Sequence, residues 1–220
     1  MEIAPGPLLR RYGLPPAETE ALALERVDAA VGPLSQWPGP EREIVRRIAA
    51  ATGDAGVASL LRFHPEAVRA GLSAAHSGAP IVVDVRMLAV ALDRAAIERL
   101  GCTVHCAIDA PEVAALAEAK GMTRAAVAMA SLADRIEGSL AVVGTAPTAL
   151  LTLLDLVDAG AARPALIVGT PVGFVAAESA KAELMARSVP YITVTGTRGG
   201  VAIAAAAVNA LLHLSLSTEG

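Results

Sequence analysis

Between Ser139 and Asn209 one pattern occurs three times: a short apolar run ends in glycine, a threonine-containing loop follows, and an alanine-rich segment with helical spacing comes next. The runs are Leu140-Ala141-Val142-Val143 before Gly144, Leu166-Ile167-Val168 before Gly169, and Ile192-Thr193-Val194-Thr195 before Gly196. Apolar runs of this length alternating with helical segments read as βαβ units, whose strands are parallel and buried on both faces. Right-handed crossovers place the three loops, which begin at Thr145, Thr170 and Thr197, on one edge of the sheet, where open α/β sheets bind ligands. Glycine at a tight strand-to-helix turn also serves the turn alone, and Pro and Thr suit helix starts whether or not anything binds. Convergence of three such loops is what favours a site. None carries the glycine spacing of a nucleotide fingerprint, so a phosphate cradle is not indicated.

The pattern extends upstream. Helices are expected over Pro16–Val31, from Pro40 to Gly53, from an Asp54 cap to about Phe63, and over Pro65–Ala75, with a turn at Pro33–Pro40 carrying Trp37. A first sheet strand follows at Ile81–Val85, then a helix over Met87–Leu100, a strand at Cys102–Ile108, and helices at Pro111–Lys120 and Thr123–Ile136. The sum is an α/β fold: a mostly parallel central sheet of about five strands with helices on both faces and an N-terminal helical segment. One domain is expected over residues 1–220, mainly helical in 1–76 and α/β in 77–214. Met1–Pro16 is expected to run over the surface and Ser215–Gly220 to fray.

Composition excludes more than it suggests. Hydrophobic residues make up 54% of the 220 but aromatics only 2%, so the core is built from Ala, Val and Leu. Net charge is −4 with scattered Lys and Arg, which argues against a nucleic-acid partner. No run reaches the roughly 18 apolar residues of a membrane helix and no signal peptide opens the chain, so a cytoplasmic location without membrane contact is expected. Cys102 and Cys106 fall on one face of the expected strand with His105 on the other, which reads as buried thiols rather than a metal site. His64 and His76 read as surface or capping residues, and His213 lies near the expected frayed end.

Several stretches together resemble the precorrin-8X methylmutase family of cobalamin biosynthesis. They are Glu43-Ile-Val-Arg-Arg-Ile48 running into Thr52-Gly53-Asp54, Arg62-Phe63-His64-Pro65, Gly78-Ala79-Pro80-Ile81-Val82-Val83-Asp84 with Met87, and Thr123-Arg124. The most specific are Gly144-Thr-Ala-Pro-Thr-Ala-Leu150, Gly169-Thr-Pro-Val-Gly-Phe-Val175 leading to Glu178-Ser179 and Lys181, and Gly199-Gly200 before Asn209-Ala210-Leu211. The resemblance implies an isomerase that moves a methyl group from C11 to C12 of a corrin precursor, giving hydrogenobyrinic or cobyrinic acid. It further implies no metal or organic cofactor, protonation of the ring by a histidine, and a homodimer with a shared pocket. Carried onto this chain, it assigns substrate contact to Asp84, Met87, Thr123, Arg124, Thr145, Pro147, Thr148, Thr170, Pro171, Val172, Gly173, Gly199 and Gly200. Arg124 is the cation suited to a substrate carboxylate.

The chain departs from the family pattern where the resemblance places the catalytic histidine, three residues before Gly53: that position is Ala50, which cannot donate a proton. Polar positions of the pattern are also replaced at Ala23, Ala125, Thr145, Thr197 and Val201. The resemblance therefore leaves an isomerase whose proton donation is weakened or relocated, and as the alternative a relative that binds a corrin without turnover. A protein with this fold but another small ligand is the third reading.

Overall fold

The computed structural model describes residues 5–32, 36–37 and 39–217. Helices α1 (Pro7–Tyr12), α2 (Pro16–Val31) and α3 (Pro40–Thr52) lead into a 3-10 segment, Ala55–Leu60, and strand β1 (Leu61–Phe63). There follow α4 (Ala67–His76), β2 (Pro80–Val83), α5 (Arg86–Ala91), α6 (Arg94–Leu100), β3 (Thr103–His105), α7 (Pro111–Lys120) and α8 (Arg124–Ser131). The three repeats give β4 (Leu140–Val143), α9 (Pro147–Asp158), β5 (Leu166–Gly169), α10 (Ala177–Met185), β6 (Tyr191–Val194) and α11 (Val201–Ser217).

The strands form one six-stranded sheet in the order β1-β6-β5-β4-β2-β3, parallel throughout except for β1 against β6. Strand periodicity divides the core in two. Leu140, Val142, Leu166 and Val168 point into the layer of α3, α4, α5, α6 and α11, whereas Ala141, Val143 and Ile167 point into the layer of α8, α9 and α10. Burial on both faces explains why these strands are continuously apolar rather than alternating. Small residues let the layers close: a Cβ on Gly71 of α4 would stand 2.9 Å from Leu211 of α11 and 3.0 Å from Leu166 of β5.

The architecture matches the expected α/β class, with corrections in detail. The expected count of about five strands misses β1, because the stretch read as a helix from Asp54 to Phe63 is a 3-10 segment followed by a strand. Asp54 does cap that segment, accepting from the Gly56 N–H at 2.9 Å. Pairing with β6, far along the chain, is what makes Leu61–Phe63 a strand. The expected helix Met87–Leu100 is interrupted: Leu92 is extended and Asp93 caps α6 through the Ala96 N–H. The expected strand Cys102–Ile108 shortens to Thr103–His105, leaving Cys102 buried but Cys106 half-buried, so only one thiol is a core residue. Residues 5–16 are exposed, as expected of a segment running over the surface, with 7–12 helical; α11 continues through Ser217 with Ser215 buried, so the expected fraying at Ser215 does not occur. Part of the expected turn at Pro33–Pro40 lies outside the described residues, as do Met1–Ala4 and residues 218–220; Trp37 itself packs edge-on against Phe63 with centroids 5.3 Å apart. Among the described residues no helix is long and apolar enough to cross a membrane.

Candidate functional site at the carboxyl edge

The parallel strands β2, β4, β5 and β6 all end toward one edge, and the loops after them are tied to one another. After β2, the Asp84 carboxylate is buried and accepts three backbone N–H groups of the loop after β4: Gly144 at 3.1 Å, Thr145 at 2.8 Å and Ala146 at 2.9 Å. Burial pushes this carboxyl above its ordinary range, while the three donors pull the other way by favouring the ionised form. Asp84 is thus the peg on which the first glycine loop hangs, with its oxygens turned to the backbone. Beside it the Thr123 hydroxyl, which caps α8 through the Ala126 N–H, lies 2.6 Å from the Thr148 hydroxyl in the first turn of α9. Two sequence-predicted residues 25 positions apart therefore meet as a hydroxyl pair at this edge.

The other two glycine loops cross. Gly200 N–H donates to the Thr170 carbonyl at 2.8 Å, and Gly173 N–H donates to the Thr197 carbonyl at 3.1 Å. At the crossing, a Cβ on Gly199 would overlap the carbonyl oxygens of Thr170 and Pro171, so only glycine lets the two backbones approach this closely. Gly173 and Gly200 take φ of 143° and 114°, in the region that favours glycine for a different reason. Ala176, with φ 61°, holds a left-handed conformation without that freedom at the start of α10.

A buried lysine fastens this crossing from below. Lys181 of α10 is fully buried, and its Nζ donates to the Arg198 carbonyl at 2.5 Å. Desolvation lowers its pKa from the ordinary 10.5 to about 8, with Glu178 acting in the opposite sense. The Arg198 guanidinium in turn reaches Asp54 at 2.8 Å, so the third loop is also tied to the segment after α3. Neither tie has a local sequence signal, since Asp54 and Arg198 are 144 residues apart.

The remaining predicted residues divide by exposure. Val172 and Met87 present exposed apolar surface, 44% and 60% accessible, and Thr145, Pro147, Gly173, Gly199 and Gly200 are partly accessible. Thr170 and Pro171 are buried and support the crossing; the Thr170 hydroxyl has no hydrogen-bond partner. Arg124 is exposed, its Nη2 donating to the Ile108 carbonyl at 2.6 Å. Ala50 is exposed on the outer side of α3, where it shares a cavity of about 390 Å³ with Arg47, Ala206, Asn209 and His213. One helical turn toward the crossed loops, Thr52, Ile203, Val172 and Gly199 line a further 270 Å³. A cavity of about 640 Å³ lies at the opposite edge ahead of β5 and β6, where Arg187 is committed to Asp158 and Glu183. Among the described residues no three His, Cys, Asp or Glu side chains gather to hold a metal ion.

Fold and site define a class: an α/β protein whose mostly parallel sheet carries interlocked glycine loops at its carboxyl edge. Within that class the chain belongs to the precorrin-8X methylmutase family, whose model matches residues 18–214. It is 46% identical over 180 residues to the precorrin-8X methylmutase of Pseudomonas aeruginosa, covering 81% of this chain and 86% of that protein. It is 35% identical over 200 residues to the cobalt-precorrin-8 methylmutase of Priestia megaterium, covering 91% and 88%. The solved structure of precorrin-8x methyl mutase from Thermus thermophilus superposes with a TM-score of 0.84 at 39% identity, covering 92% of this chain and 97% of that one. These comparisons bear out the resemblance and lend no support to a relative that binds without turnover.

Proposed function

We propose that the protein is a corrin-precursor isomerase that moves a methyl group from C11 to C12 of precorrin-8 or its cobalt form. The observation that carries the reading is the crossed-loop edge itself, built from the stretches that match the family and spanning a chain that aligns with methylmutases over most of its length. The reaction is intramolecular, so it transfers no electron and consumes no co-reactant. What the protein contributes is binding, orientation and a proton. In this reading Arg124 meets a peripheral carboxylate, a charge-assisted contact. The hydroxyls of Thr123 and Thr148 meet ring-edge polar groups, and Val172, Met87 and the glycine backbones of residues 173, 199 and 200 form the surface on which the flat macrocycle rests.

The same reading makes the protein a cytoplasmic homodimer with a shared pocket. Phe174 and Val175, at the tip of the second glycine loop, are 94% and 84% exposed, a surface that a second copy would cover. A spectral titration with precorrin-8 and with hydrogenobyrinic acid, run alongside sedimentation analysis, tests both parts. Saturable binding of both compounds to a dimer supports the reading, and failure to bind either compound refutes it.

A further inference from the structure

A carboxylate already occupies part of the carboxyl edge, and it belongs to the chain itself. Arg198, in the third glycine loop, lines the 270 Å³ cavity beside the crossed loops together with Asp54, Val172, Gly199 and Ile203. Its Nη1 donates to Asp54 Oδ2 at 2.8 Å, and among the described residues its Nε and Nη2 make no hydrogen bond. Arginines that tie the fold together use the whole fork: Arg46 and Arg187 each donate through Nε, Nη1 and Nη2 to two carboxylates. A guanidinium matches a carboxylate best through two parallel N–H groups. Arg198 holds Asp54 through one, and so keeps donors for a second, better-matched acid.

The two partners are anchored independently of each other. Asp54 caps the 3-10 segment, its Oδ1 accepting the Gly56 N–H at 2.9 Å, and the Arg198 carbonyl is held from below by Lys181 Nζ. Only the Arg198 side chain has to move for the pair to open. With side chains 56% and 42% exposed, the pair is of a kind that contributes little to stability, so opening it costs the fold little. The cavity otherwise favours an anion. Gly199 and Ile203 flank the start of α11, which brings the positive end of a 17-residue helix to it, and Asp54 is the one acid among the residues lining it. Val172 and Gly199 belong both to this cavity and to the surface on which the proposed macrocycle rests.

We infer that Asp54 holds the place of a ligand carboxylate: a peripheral carboxylate of the macrocycle displaces Asp54 from Arg198 and takes the guanidinium through two N–H groups. Arg198 is then a second cationic contact on the ligand's rim, on the third loop, in addition to Arg124 at the start of α8. Until ligand arrives, Asp54 keeps the fork at the cavity and opposes binding by the strength of the contact that must be broken. A neutral amide or ester at the same place on the rim cannot compete with Asp54, so the pair selects for the free acid. The inference rests on the isomerase reading above.

The test is a spectral titration of the full-length protein with hydrogenobyrinic acid, using wild type, Asp54→Asn, Arg198→Gln and the double variant. Asn keeps an acceptor for the Gly56 N–H and removes the competing charge; Gln leaves the Lys181 contact to the backbone in place. Asp54→Asn should bind about two- to fivefold more tightly than wild type, and Arg198→Gln roughly 10- to 100-fold more weakly. The double variant should bind as Arg198→Gln does, and Arg198→Lys, which keeps the charge without the fork, should fall between Arg198→Gln and wild type. An Asp54→Asn protein that binds no more tightly than wild type, or an Arg198→Gln protein with wild-type affinity, makes the pair a structural tie and overturns the inference. A gain from Asp54→Asn that persists in the double variant is relief of repulsion rather than displacement, and overturns it too. In each of these cases the isomerase reading stands. A wild type that binds neither hydrogenobyrinic acid nor precorrin-8 overturns that reading and the inference together.

Discussion

Replacing Lys181 with Met removes a buried ammonium while keeping an unbranched chain of similar size. The fall of the Lys181 pKa from 10.5 to about 8 corresponds to about 3 kcal/mol, at about 1.4 kcal/mol per pH unit, by which burial opposes the charged form. Because the folded-state pKa is depressed, the unfolded chain binds more protons between pH 8 and 10.5. The penalty is therefore present in full below about pH 8 and is relieved as pH rises toward 10.5. Loss of the hydrogen bond to the Arg198 carbonyl adds an offset that does not vary in the same way with pH. Urea unfolding of both proteins at pH 7 and pH 10 isolates the effect, since other titrating groups cancel in the comparison. Wild type should gain about 2 to 3 kcal/mol relative to Lys181→Met between the two pH values. Parallel pH dependences, within about 0.5 kcal/mol, would refute a buried, proton-disfavouring lysine beneath the loop crossing.

Three further outcomes follow from the same geometry. Asp84→Ala strands the buried Gly144 N–H and the part-buried Thr145 and Ala146 N–H groups and should cost about 2 to 3 kcal/mol by denaturant titration, with Asp84→Asn costing less. Gly199→Ala forces the crossed loops apart and should lower kcat/KM for precorrin-8 roughly 10- to 100-fold with little loss of overall helicity by circular dichroism. Among the described residues the Arg124 side chain donates only to the Ile108 carbonyl, so Arg124→Ala should leave the melting temperature nearly unchanged while weakening hydrogenobyrinic acid binding roughly 10- to 100-fold in a spectral titration.

Most of the sheet was legible because its strands are apolar runs cut off by glycine, and the glycines are required where backbones turn or touch, as at Gly199. Strand β1 was not legible: Leu61-Arg62-Phe63 is too short to carry a pattern, and its state is set by a register with Ile192–Val194. The break between α5 and α6 was hidden for the same reason, since the Asp93 N–H is captured by Asn209, 116 residues later. At the carboxyl edge, sequence pattern found the three loops; the family resemblance named Thr123 and Thr148 without their contact, and also named Thr170 and Pro171, which the crossing buries. Helix α11 was expected to fray from Ser215, whereas it continues through Ser217 and sets the His213 ring against Asp93. Nothing near Lys181 in sequence signals its partner, because the acceptor is a backbone carbonyl on another loop.

Intramolecular methyl migration at the carboxyl edge is the activity proposed for this protein. It is tested most directly by incubating the purified protein with precorrin-8 carrying a carbon-13 label in the C11 methyl group and following the methyl resonance by NMR. The labelled signal should move intact to the C12 position at an enzymatic rate. A labelled methyl that stays at C11 in the presence of saturating protein would contradict it.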